Sequence, residues 1–114
     1  MWDGTSWTLE DIQVWSWVGD TVINSVAFTD VDGDFKADIV TGGYYSNFAQ
    51  LCVWDGATLA LKDVTCWKWS SATYINSVAA LDVDGDWKAE VATGGIWFNS
   101  YEYEWWAQLC VWDW

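Results

Sequence analysis

The stretch Asp30-Val31-Asp32-Gly33-Asp34-Phe35-Lys36-Ala37-Asp38 sets four carboxylates, Asp30, Asp32, Asp34 and Asp38, at offsets 1, 3, 5 and 9, with Gly33 allowing a tight turn between them. Hard divalent cations take several oxygen ligands, and calcium accepts a flexible shell of carboxylates, backbone carbonyls and water, so a short acidic turn suits it better than magnesium or zinc. The chain has no histidine, and its cysteines lie far from this turn in sequence. Zinc and catalytic iron are therefore poor fits. An EF-hand shares the acidic offsets but also needs glycine at offset 6 and glutamate at offset 12, where this chain has Phe35 and Thr41.

An acidic turn is usually just a solvated loop. Repetition argues otherwise here: Asp82, Asp84, Asp86 and Glu90 reproduce all four acidic positions 52 residues later, with Gly85 again at offset 4. These eight residues are the candidate ligands for two calcium ions per chain. The same shift of 52 aligns Trp2-Asp3-Gly4 with Trp54-Asp55-Gly56, Trp15 and Trp17 with Trp67 and Trp69, and Ile23-Asn24-Ser25-Val26-Ala27 with Ile75-Asn76-Ser77-Val78-Ala79. Beyond Asn47 and Asn99 the offset becomes 58, matching Ala49-Gln50-Leu51-Cys52-Val53-Trp54-Asp55 to Ala107-Gln108-Leu109-Cys110-Val111-Trp112-Asp113, so the second copy carries six extra residues near 100–106. They are expected in a loop, and a fixed period of this length points to a repeat architecture.

Within one copy, β-branched and aromatic runs separated by turn signals predict four strands, at about 22–29, 37–41, 49–54 and 59–69. The acidic turn joins the first two, Gly42-Gly43 is expected to close the second, and Asp55-Gly56 to turn the third into the fourth. The result is a four-stranded antiparallel meander, the blade of a propeller.

The D-x-D-G-D-x-x-x-D pattern in this strand context resembles the FG-GAP repeats of integrin-like β-propellers, and the resemblance covers nearly the whole chain as two tandem repeats. It implies that each acidic turn joins the first two strands of a blade and binds calcium. It also implies an extracellular setting, although the N-terminus has neither the basic start nor the apolar core of a signal peptide. The family often has a second glycine where Phe35 and Trp87 stand.

The formal charge of −13, from 17 acids against 4 basic residues, argues against nucleic acid and anionic membrane surfaces as partners. No apolar run is long enough for a membrane-spanning helix. With no histidine or arginine, and with the carboxylates gathered where a cation needs them, no catalytic constellation appears, and the chain does not read as an enzyme. Cys52, Cys66 and Cys110 are an odd set at repeat positions, where cysteine serves as a small buried apolar residue rather than in a disulfide framework.

Of the 13 tryptophans, Trp2, Trp54 and Trp112 share one repeat position, while Trp15 with Trp67 and Trp17 with Trp69 form two more. Residues two apart on a strand share a face, so these seven are expected in core or inter-blade packing. A further aromatic group, Tyr44, Tyr45 and Phe48 in one loop and Trp97, Phe98, Tyr101, Tyr103, Trp105 and Trp106 in its counterpart, supports an alternative function. That alternative is a calcium-dependent recognition module, lectin-like or adhesive, contacting a glycan or protein; the competing explanation is a loop folded on its own side chains.

The expected fold is thus all-β: one two-blade propeller unit over 1–114, with blade one at about 22–69 and blade two at about 74–113. Two blades leave apolar end faces in water, which a closed ring removes. The chain is therefore expected to complete a propeller by homo-oligomerisation, acting as a self-assembling, calcium-binding structural module. A trimer with six blades is favoured over a tetramer with eight, because bulky Trp15 and Trp17 lie outside and small Ser25 and Ala27 inside. In this phase the second blade lacks an outermost strand, while 6–17 is an outermost strand with no blade. It is expected to pair with a neighbouring subunit near 108–112 as an exchanged strand.

Overall fold

The computed structural model describes residues 12, 14–16, 20–69 and 71–113. Among them every regular element is a strand: β1 (Thr21–Thr29), β2 (Asp38–Tyr45), β3 (Phe48–Asp55), β4 (Leu61–Trp67), β5 (Thr73–Leu81), β6 (Glu90–Asn99) and β7 (Glu104–Trp112). They form two antiparallel meanders, one of four strands in the order β1-β2-β3-β4 and one of three in the order β5-β6-β7. The all-β expectation and the missing fourth strand of the second sheet both match the described residues.

The registers of the two sheets repeat each other, including a bulge between Ile23 and Ser25 on β1 and between Ile75 and Ser77 on β5. The bulge corrects one expectation. Gly42-Gly43 does not close the second strand; β2 runs through both glycines to Tyr45. Glycine is needed because the bulged neighbour comes close: a Cβ on Gly43 would lie 1.9 Å from the Val22 carbonyl oxygen, and one on Gly42 would strike Ile75 and Val78 of the other sheet.

A second correction concerns the six extra residues. Instead of a long loop, they lengthen the β6–β7 hairpin, so Trp105 and Trp106 lie in β7, paired with Phe98 and Trp97, and only the tip at 100–103 is a turn. Asn99 Oδ1 closes that tip by accepting from the Tyr101 and Glu102 amides at 3.0 and 3.2 Å. At the other end, the β3–β4 connection is longer than an Asp-Gly hairpin. Asp55 Oδ1 accepts from the Ala57 and Thr58 amides, and Leu59 takes a left-handed φ of 58°.

The main core lies between the sheets, where Val40, Ala49, Leu51 and Val53 meet Ile75, Val78 and Val91 around buried Val31. Burial of each large aliphatic side chain there is worth about 1.5–3 kcal/mol. A smaller cluster on the opposite face of the first sheet joins Ile39, Cys52 and Trp54 to Trp15, Leu59 and Val64. The expected outer strand at 6–17 falls mostly outside the described residues; within it Val14, Trp15 and Ser16 are not in a strand.

The tryptophan pattern is legible in this packing. Trp15 meets Trp54 with ring centroids 4.8 Å apart at 45°, and Trp67 meets Trp112 with the same separation and angle. Trp54 and Trp112 each donate their indole N–H to a threonine hydroxyl at 3.0 Å, Thr41 and Thr93. Trp69, expected in packing, lies past the end of β4 and is exposed. Its indole N–H donates to Gln108, as does that of Trp67. Trp2 and Trp17 lie outside the described residues. The three cysteines are free thiols; burial pushes that of Cys52 up to about 11.

Candidate metal centres

Each acidic turn connects the bulged first strand of its sheet to the second, so the last carboxylate, Asp38 or Glu90, opens a buried strand while the first three sit on the turn. The turn is wound around its first aspartate. Asp30 Oδ1 accepts from the Gly33 and Asp34 amides at 2.8 and 3.2 Å, and Oδ2 from the Phe35 amide at 2.7 Å. Asp82 repeats all three bonds with Gly85, Asp86 and Trp87 at 2.8, 3.2 and 2.9 Å. Asp34 and Asp86 then each accept from the lysine amide two residues on, at 2.9 Å.

This winding needs left-handed backbone at two places per turn. Gly33 and Gly85 supply one at φ 81°, but Phe35 at 62° and Trp87 at 69° supply the other with bulky side chains. An L-residue in that region costs about 1–2 kcal/mol. Both rings point into solvent, so packing does not repay the strain; the amide bonds to Asp30 and Asp82 hold it.

All eight residues singled out from sequence are brought together as two sets of four. In each set, Asp30, Asp32, Asp34 and Asp38, or Asp82, Asp84, Asp86 and Glu90, one carboxylate oxygen per residue lies within 4.8 Å of the others. Such a set could hold a metal ion.

The two sets differ in a way the motif does not reveal. Lys62, reaching from β4, places its ammonium 2.7 Å from Asp32 Oδ2 and 2.8 Å from Asp38 Oδ1. It holds the Asp32 carboxyl at about 2, and the paired carboxylates raise the lysine in turn. The second set receives no such lysine among the described residues. Loss of solvation pushes Asp84 up to about 6, with Glu90 and Asp86 adding to the shift. Glu90 is only 6% exposed; its Oε2 accepts from the Val83 amide at 3.0 Å, while its Oε1 is buried with no hydrogen-bond partner.

A buried carboxylate oxygen left unsatisfied costs free energy unless a donor or cation reaches it. The second set therefore fits a hard cation, and the first carries an ammonium where a cation would otherwise compete. Lys62 was the residue that sequence reasoning missed. It lies 24 positions beyond Asp38, and only the β3–β4 pairing brings it back.

Among known proteins, the FG-GAP repeat family model matches residues 22–57, which span β1 to β3 and contain the whole first acidic set. Neither a curated protein nor a solved structure matches the chain. The turn, its flanking strands and the family match coincide, so residues 22–57 of this chain are similar to an FG-GAP repeat.

Proposed function

We propose that the chain is a calcium-binding β-propeller module, with its two sheets as successive FG-GAP blades, that completes a ring with copies of itself and has a structural rather than catalytic role. The observation that carries the calcium reading is the orphaned, buried Glu90 Oε1 inside a set of four carboxylates. Asp82, Asp84, Asp86 and Glu90 would hold one ion, and Asp30, Asp32, Asp34 and Asp38 a second once Lys62 yields its place. Calcium supplies the charge that lets four carboxylates stay ionised side by side. The protein's part is to pre-wind each turn on backbone amides, so that little ordering remains when the ion arrives.

Assembly is supported by the edges. The outer edge of β3 is covered by β4, whereas that of β7 has no strand beside it among the described residues. Trp15 sits on Trp54 with the geometry that Trp67 of β4 adopts on Trp112. Trp15 thus takes the place that the outer strand of a preceding blade would give it, and we infer that the strand expected at 6–17 pairs with the β7 edge of a neighbouring copy. Three copies and six blades remain the favoured ring.

The aromatic hairpins favour this reading over glycan or protein recognition. Tyr44 packs on Tyr74 of the other sheet at 4.4 Å, and within the second sheet Trp105 packs on Tyr74 at 5.8 Å and on Phe98 at 5.3 Å, so these rings are engaged with one another and one pair joins the sheets.

Isothermal titration of chelator-treated protein is expected to show two calcium ions bound per chain, and chelation to lower the melting temperature. Asp32→Ala should remove part of the gain. A chain that takes up no calcium at millimolar concentration, with unchanged melting on chelation, overturns the proposal.

A further inference from the structure

We propose that the outer face of β5-β6-β7 is a docking surface for a second copy of this chain, which seats Ile23 and Val26 of its β1 over Gly94. The proposal deepens the reading of the two sheets as successive repeats and rests on it. Its warrant is the interface already present inside the chain. There the first sheet offers Gly42, Leu51 and Val53, and the second covers them with Ile75 and Val78. Backbone-directed polar contacts help pin the join: Asn24 Nδ2 donates to the Ile75 carbonyl at 2.7 Å, the Val78 amide to Ser25 Oγ at 3.2 Å, the Thr73 amide to the Asn47 carbonyl at 3.0 Å, and the Ala89 amide to the Asp30 carbonyl at 3.0 Å.

Each half of that interface is repeated, and the repeats face away from each other at the two ends of the molecule. Ile75 is 1% exposed while its equivalent Ile23 is 45% exposed; Leu51 is 5% exposed while its equivalent Leu109 is 78% exposed. Val26 at one end and Val111 at the other are open where Val78 and Val53 are buried. Asn76 and Ser77, equivalent to the pinning Asn24 and Ser25, are exposed on β5.

The glycines identify the socket. A Cβ on Gly42 would lie 2.5 Å from Val78 Cγ1 and 2.7 Å from Ile75 Cγ2, so that position is flattened by the side chains it receives. A Cβ on its equivalent Gly94 would meet nothing within 4 Å. The same holds nearer the acidic turns: Gly33 has the Lys88 side chain 3.3 Å from its would-be Cβ, and Gly85 has an open space in which Lys36 of another copy would fit.

An apolar face alone names no occupant. Here the shape and the polar pins required at one end are those displayed at the other, so the occupant is a second copy. Because the two faces differ, the contact is head to tail and propagates until the rotation closes a ring. A closed ring leaves neither face in water.

Gly94→Val blocks one face and Val26→Glu the other, and both positions have room for the change in the single chain. In calcium, light scattering should find wild type as an oligomer and each variant as a monomer of 13.0 kDa. A one-to-one mixture should form a species of twice that mass, since each variant retains the face the other has lost. Leu109→Glu should behave as Gly94→Val does, which guards against misfolding of either single variant.

A mixture that stays monomeric overturns the proposal, as does wild-type assembly by either variant. If the variants assemble normally while removal of residues 1–17 dissolves the oligomer, the exchanged strand survives and face docking does not. A wild type that is monomeric in calcium overturns both, whereas calcium uptake is judged separately by titration.

Discussion

At the level of single residues, the Lys62 ammonium and the orphaned Glu90 oxygen separate two turns that share one motif. The first set carries an internal cation; the second is left to protons or metal. Asp84, raised to about 6, contributes stability that is present below the ordinary aspartate value and is lost as pH rises from there through about 6. Asp32, lowered to about 2, contributes stability that is present above the ordinary value and is lost as pH falls toward 2. A calcium ion bound at the second set would replace the proton that Asp84 otherwise takes up. The rise in melting temperature on adding calcium should therefore be larger at pH 7 than at pH 4.5, and an equal rise at both contradicts the assignment. Lys62→Met should strengthen calcium binding at the first set about tenfold, or about 1.4 kcal/mol, by removing a competing charge. Titration of the variant alongside wild type would reveal an unchanged affinity if the ammonium does not compete.

At the level of elements, the glycine pairs show what sequence conveys and where it falls short. The spacing of the acidic residues was readable because the ligand chemistry is local, and the strand order followed from turn signals between β-branched runs. Gly42-Gly43 looked like a strand end because glycine usually punctuates; its actual cause, a bulge on the partner strand, is a pairing effect with no local sign. The extra hairpin residues were likewise assigned to a loop, although Trp105 and Trp106 pair with Phe98 and Trp97 respectively and prolong the ladder. Lys62 escaped notice for the same reason, since its position in the repeat is taken by Glu10 in the other copy. Gly95→Ala tests the bulge: its Cβ would lie 1.9 Å from the Tyr74 carbonyl oxygen, and the change should cost about 1–3 kcal/mol by urea unfolding. Gly94→Ala, one residue away in open space, should leave the single chain within about 0.5 kcal/mol of its parent. Comparable losses at both positions would remove the bulge as the explanation.

At the level of the whole molecule, the proposed assembly and the proposed calcium binding would answer to different parts of the chain. Removing residues 1–17 should abolish the oligomer, read by native mass, while the truncated protein still takes up calcium at both sets. The same closed ring after truncation would show that the exchanged strand is not what holds it. Two bound ions would bring the charge from −13 to −9 (−13 + 4), still enough to keep separate rings apart. Polarity along the strands has a further consequence. Both acidic turns leave one end of the sheets, with Asp55 beside the first, and both aromatic hairpins leave the other. The proposed head-to-tail ring would preserve that direction in every copy and so be two-sided, with one rim anionic and the other studded with Tyr101 and Tyr103. Any weak attraction felt by a single hairpin tip would then be summed over the copies on one rim, and avidity rather than the affinity of one tip would govern how the ring settles on a surface.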